Sequence, residues 1–234
     1  MNSLAIFDID GTLTDTNTVD DACYRSAVAE TLGLAESEID WTGTPHFTDR
    51  GIFDWLFAKH HRTVPSGDDV RSARERLTEL LNAAMETSPR QFAPIVGSPR
   101  VFGHLASNGW RVSIATGCWR PSALMKLRAA GIDVDDALIA CADDAASRAD
   151  IVTTSRKRAQ NFYGCEFSRV VSIGDGVWDV ATASELGLPF IGVGRGERRD
   201  RLQRAGASVV IEDYTDLSAF VSALESAPVP GSGS

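Results

Sequence analysis

The hydrophobic pattern changes character twice along the chain. Leu4, Ala5, Ile6 and Phe7 form an unbroken apolar run that leads into Asp8, Ile9, Asp10 and Gly11. Such a run, closed by acids and a glycine, predicts a buried strand stopping at a turn. From about residue 16 to 93 the apolar positions recur at helical spacing instead. Val19, Ala22, Cys23, Ala27 and Val28 form one set, and Ile52, Phe53, Leu56 and Phe57 a second. Val70, Ala73, Leu77, Leu80, Leu81 and Met85 form a third. No strand-like run separates them, so the segment reads as a helical insert. Residues 94–99 then mark a boundary, with Ser98 expected as a helix cap and Pro99 at the first helical position.

Beyond it, helices and strands alternate. Helices are expected at 99–108, 121–130, 149–162, 179–186, 197–205 and 216–224, and strands at 111–116, 137–141, 169–173, 190–193 and 208–211. This order implies right-handed crossovers and a Rossmann-like α/β architecture, a parallel sheet with helices on both faces. Residues 1–15 and 94–226 would form that core, 16–93 the all-helical insert, and 227–234 a disordered tail. Open sheets of this kind bind ligands beyond the carboxyl ends of their strands. Polar residues gather at those ends: Asp8 and Asp10 after the first strand, Thr116 after the second, Asp175 after the fourth.

Composition adds limits. A chain of 234 residues, 43% hydrophobic and 24% charged, can bury a sizeable core. No apolar run approaches the roughly 20 residues a membrane span needs. Met1 leads into an apolar strand without a basic leader, so no signal peptide is expected and cytoplasm is the default. Cys23, Cys118, Cys141 and Cys165 are scattered, which favours reduced thiols. His46, His60, His61 and His104 show no paired ligand spacing. A net charge of −9 argues against nucleic acid as a partner. Screening over roughly 8–10 Å still allows a local cationic pocket to take a phosphate. The oligomeric state does not follow from the sequence.

The candidate chemistry starts at the first strand. Residues two apart on a strand point the same way, so Asp8 and Asp10 converge on one crevice. Two close carboxylates repel and require compensation, which a hard cation such as Mg²⁺ supplies. Asp8, Ile9, Asp10, Gly11 and Thr12 resemble the first motif, D-x-D-G-T, of the haloacid dehalogenase superfamily. The resemblance implies that Asp8 is a nucleophile forming an aspartyl-phosphate, and that Asp10 protonates the leaving oxygen and then activates water. Dehalogenases of the superfamily lack the second aspartate, so its presence favours phosphate esters.

Three further elements extend the resemblance. Val112 to Thr116 resembles the second motif, which implies a phosphate site at Thr116 and the backbone N–H groups around Gly117, with Cys118 and Trp119 shaping the wall. The third motif is a cation, usually lysine. In the stretch 143–150 the cation is Arg148, with Lys157 as the fallback on a helix face otherwise expected to be solvated. Gly174, Asp175 and Asp179 resemble the fourth motif, G-D-x-x-x-D. It implies Mg²⁺ held by Asp8, Asp10 and Asp175, with Asp179 acting through water or as a partner for Arg148. Capping of the following helix by Asp179 is compatible with either role. The insert stands where the family's helical C1-type caps stand. Its loop 44–51 is expected to be solvated, with contact between Arg50 and an anionic leaving group as the alternative.

The combined expectation is a Mg²⁺-dependent phosphatase acting on a small phosphorylated metabolite. A phosphomutase and a non-catalytic phosphate binder are the alternatives. Phosphoglycolate-like acids, sugar phosphates and nucleotide monophosphates all stay open as substrates, because fold does not set specificity.

Overall fold

A computed structural model describes residues 2–231. Strand β1 (Ser3–Phe7) is central in a six-stranded sheet whose paired strands are all parallel. On one side of it lie β2 (Trp110–Ala115) and then β3 (Ile139–Ala140). On the other lie β4 (Arg169–Gly174), β5 (Phe190–Val193) and β6 (Val210–Ile211). The order 3-2-1-4-5-6 reverses direction beside β1, which is where such sheets open a crevice.

Strand β1 is apolar on both faces because both are covered. Between β1 and β2 the chain forms α1 (Asn17–Leu32), α2 (Asp49–His61), α3 (Gly67–Thr87) and α4 (Ser98–Ser107). Ala5 and Phe7 pack with α4, α5 (Arg120–Ala129) and α9 (Leu217–Ser226). Leu4 and Ile6 face α6 (Arg148–Tyr163), α7 (Val177–Glu185) and α8 (Glu197–Arg204). Register aligns Phe7 with Ile114 of β2 and Ile173 of β4, so the loops after these strands leave from one edge.

Helices α1, α2 and α3 enclose an apolar cluster of their own, including Val28, Phe53, Leu56, Leu77 and Leu81. Trp119, from the loop before α5, completes it: its ring lies 6.0 Å from Tyr24 and 6.3 Å from Phe53. This buried indole is one of the contacts that join the sheet to the helical segment.

Three expectations need correction. The strand expected at 137–141 is confined to β3, since a 3-10 turn over Asp136–Leu138, capped by Asp135, takes up its first half. Ser98 is the first residue of α4, and its hydroxyl donates to Leu13 O at 2.7 Å. The cap is Gly97, whose φ of 84° and close approach to Tyr214 exclude a side chain. The tail expected to be disordered from residue 227 is packed as far as it is described. Ala227 O accepts from Arg169 Nη2 at 2.9 Å and Pro228 O accepts from the Phe190 N–H at 3.1 Å, which satisfies donors beside β4 and β5. Residues 232–234 lie outside the described residues. Among the described residues no helix is long and apolar enough to cross a membrane, and all four cysteines are free thiols.

Trp119→Ala should cost about 3–5 kcal/mol in denaturant unfolding, because its indole is 1% exposed and fills the junction. Val64→Ala, at an 80% exposed position, should stay within about 0.5 kcal/mol of the parent.

Candidate active site

The ends of β1 and β4 share one crevice, and their pairing continues to its edge, where the Asp8 N–H donates to Ile173 O at 3.0 Å. Gly11 then turns the chain with φ 69°. A Cβ there would sit 2.0 Å from Asp175 Oδ2, so glycine is what lets the two loops meet.

Asp8, Asp175 and Asp179 are buried, and each offers a carboxylate oxygen within 4.8 Å of the others. Arg148 opens α6 and spans two of them: Nη1 donates to Asp179 Oδ1 at 2.7 Å and to Asp8 Oδ2 at 3.2 Å. Asp175 accepts from Asn17 Nδ2 at 2.8 Å and faces Arg198 Nη1 at 3.3 Å. Asp179 Oδ2 also accepts the Gly176 N–H at 3.0 Å, so it caps α7 as well. One enclosed guanidinium and one at the rim do not balance three enclosed acids. Burial, then the charges of Asp179 and Asp8, pushes Asp175 up to about 8. Burial pushes Asp179 to about 7 against the pull of Arg148, and raises Asp8 too. Hard oxygen donors crowded in this way fit a divalent cation such as Mg²⁺.

The structure thus groups the side chain of Asp179, rather than that of Asp10, with Asp8 and Asp175. Asp10 turns toward α5. Its carboxylate lies 2.8 Å from Lys126 Nζ and accepts from Cys118 Sγ at 2.8 Å and from the Thr16 hydroxyl. Lys126 is fully buried and forms a second ion pair with Asp20 of α1. Burial opposes the charge on both partners, yet Lys126, Cys118 and Thr16 hold Asp10 below the usual carboxylate range. Asp10 and Asp20 in turn hold Lys126 well above its ordinary value. The ammonium is the cation of this second acidic group.

Thr116 is buried at the end of β2, where its hydroxyl accepts the Cys118 N–H at 3.2 Å. Thr116, Gly117 and Arg148 border the same cavity of about 500 Å³ as Asp8, Asp10 and Asp175. Lys157 is exposed on α6 and does not line it. Its neighbour Arg158 pairs with Asp144 at 2.7 Å and keeps 31% of its side chain exposed.

The loop expected to be solvated is packed over the site. Phe47 stacks on Trp178 at 5.2 Å, and its carbonyl accepts from Arg148 Nε at 2.8 Å. The Thr48 hydroxyl donates to Ala146 O at 2.6 Å, and Asp49 Oδ2 accepts the Trp119 N–H at 2.7 Å. Arg50 turns away and pairs with Asp54 at 2.8 Å.

Sequence reasoning missed Lys126, Asp20, Asp49 and Asn17. A signal for the first existed: Ala123, Lys126, Leu127 and Ala130 follow helical spacing, which sets a lysine among apolar positions.

Residues 3–187 match the family model described as haloacid dehalogenase-like hydrolase. A phosphoglycolate phosphatase of Agrobacterium fabrum is 26% identical over 226 residues, covering 93% of this chain and 91% of the relative. A hydrolase from Pseudomonas syringae superposes with a TM-score of 0.70 at 21% identity, over 95% of this chain and 98% of that one. A β-phosphoglucomutase from Clostridium difficile gives 0.68 at 17%, over 96% and 98%.

Lys126→Met should destabilise the fold by about 3–5 kcal/mol, because it leaves Asp10 and Asp20 facing each other without a cation. Adding Asp20→Asn should recover part of the loss. Denaturant unfolding of both variants checks this, and a neutral Lys126→Met would contradict the buried-pair account.

Proposed function

The chain belongs to the haloacid dehalogenase-like hydrolases, and on that premise we propose that it is a Mg²⁺-dependent phosphatase that passes a phosphoryl group through Asp8. The observation that carries this reading is the division of labour between two neighbouring acids. Asp8 stands among Arg148, Asp175 and Asp179, whereas Asp10, two residues on, is held apart by Lys126, Cys118 and Thr16. This separation supports Asp8 as the nucleophile and Asp10 as the acid–base group.

Asp8, Asp175 and Asp179 would hold Mg²⁺, which would neutralise charge on the transferring group. Arg148 and Thr116 hold the phosphoryl oxygens, with backbone N–H groups near Gly117. Asp8 Oδ attacks phosphorus, the ester P–O bond breaks, and the leaving oxygen takes a proton from Asp10. Asp10, ionised in the free site, takes that proton from solvent as the anionic ester binds and its charge opposes the pull of Lys126. A water then attacks the phosphoryl group on Asp8 while Asp10 takes its proton back. Asp8 is released as carboxylate and inorganic phosphate leaves. The helical segment 16–93 acts as the cap, and its loop 44–48 closes the site against bulk water.

Wild type should release phosphate from p-nitrophenyl phosphate with Mg²⁺ and lose that activity in EDTA. Asp8→Asn should lower kcat by at least about 10³-fold while the circular dichroism stays native. Phosphate release retained by Asp8→Asn would overturn the reading. Isomerisation of a sugar phosphate without net release would identify a phosphomutase instead.

Asp175→Asn should raise the Mg²⁺ concentration for half-maximal activity by about 10-fold or more, read from a Mg²⁺ titration at saturating substrate.

A further inference from the structure

The two halves of the active-site cavity differ in charge balance, because the sheet half sets cations against Asp8, Asp10 and Asp175. Among the described residues, the cations that line it, Arg148, Arg198 and Arg201, all come from the sheet half. Arg148 is bonded to Asp8 and Asp179, and Arg198 to Asp175, so both serve the phosphoryl end. Arg201 stands where the cavity meets a neighbouring groove. The described residues of the helical segment that line the cavity include three acids, Asp20, Asp21 and Asp49, and no base.

The basic side chains nearest this wall are already engaged. Lys126 has no exposed surface and is shared between Asp10 and Asp20. Arg50 is turned to Asp54. Arg25 lies over the Trp41 ring at 4.3 Å and donates to Ile39 O. Asp21 has only a distant partner, Arg25 at 3.9 Å, and is more than half exposed. Asp49 spends one oxygen on the Trp119 N–H. Burial and the nearby Asp20 raise its carboxyl well above the usual range, and Lys126 offsets this only in part. Tyr24 and Trp41 stand on the same wall, with the Trp41 ring already covered by Arg25 and Tyr24 packed against Trp119.

From this distribution, and resting on the phosphatase reading above, we propose that the substrate is the phosphate monoester of an amino alcohol, with the phosphoryl group at Asp8 and the ammonium group toward Asp21 and Asp49. A carboxylate-bearing leaving group would meet like charge on the same wall, where the described residues that line it offer no cation. A cavity of about 500 Å³ accommodates a small ester of this kind.

O-Phosphoethanolamine and 2-phosphoglycolate test this directly, because both have two carbons and they differ in the charge at the far end. With Mg²⁺ present, kcat/KM should favour O-phosphoethanolamine by at least about tenfold. Asp49→Asn and Asp21→Asn should each shrink that ratio. Because the ratio is internal to each variant, a general loss of activity does not affect it. p-Nitrophenyl phosphate serves as the control. If it is cleaved while 2-phosphoglycolate equals or exceeds O-phosphoethanolamine, or while neither two-carbon ester reacts, the inference is overturned and the phosphatase reading stands. A ratio unchanged in both variants would also overturn it. If p-nitrophenyl phosphate is itself not cleaved, the phosphatase reading fails and the inference falls with it.

Discussion

Carboxylate crowding is the constraint on which the rest of the site depends. Asp8, Asp10, Asp20, Asp175 and Asp179 converge beyond β1 and β4, and the enclosed cations that meet them among the described residues are Arg148 and Lys126. Charges at these separations in a poorly solvated volume interact strongly, so each acid must find a partner or lose its ionised form. The two cations split the acids into two groups. Lys126 takes Asp10 and Asp20, and Arg148 takes Asp8 and Asp179. The second group stays under-compensated, and burial together with the charges of Asp179 and Asp8 pushes Asp175 up to about 8. That imbalance is the physical basis for proposing a divalent cation there.

The same ion pairs tie the helical segment to the sheet. Asp20 belongs to α1 and Lys126 to α5, so the pair that orients Asp10 also fixes the first helix of the segment. Trp119 adds an apolar anchor, and the Phe47 carbonyl accepts from Arg148. Movement of the loop 44–48 would therefore change the surroundings of Arg148 directly.

Much of this is legible in the sequence. The run Leu4 to Phe7 followed by Asp8 and Asp10, and Gly174 followed by Asp175 and Asp179, put both acidic loops at strand ends by pattern alone. Arg148 is readable as the cation of its loop. Lys126 is not, because motif reading looks for cations in loops and this one sits inside a helix. Its apolar neighbours Ala123 and Leu127 are the clue to its burial. The packing of the loop 44–51 is hidden for a related reason: its polar residues find their partners, Ala146 O and the Trp119 N–H, across the chain rather than locally. The tail resembles a flexible linker in composition, yet its carbonyls answer donors on Arg169 and Phe190 that no local pattern reveals.

The most direct test of the account is to look for the phosphoryl group on the protein. The enzyme would be mixed with Mg²⁺ and a phosphorylated substrate, quenched in acid within one turnover, digested and read by mass spectrometry. The account predicts a phosphoryl adduct on the peptide carrying Asp8, removed by hydroxylamine and absent from Asp8→Asn. An adduct on any other residue, or substrate turnover with no adduct at any quench time, would contradict it.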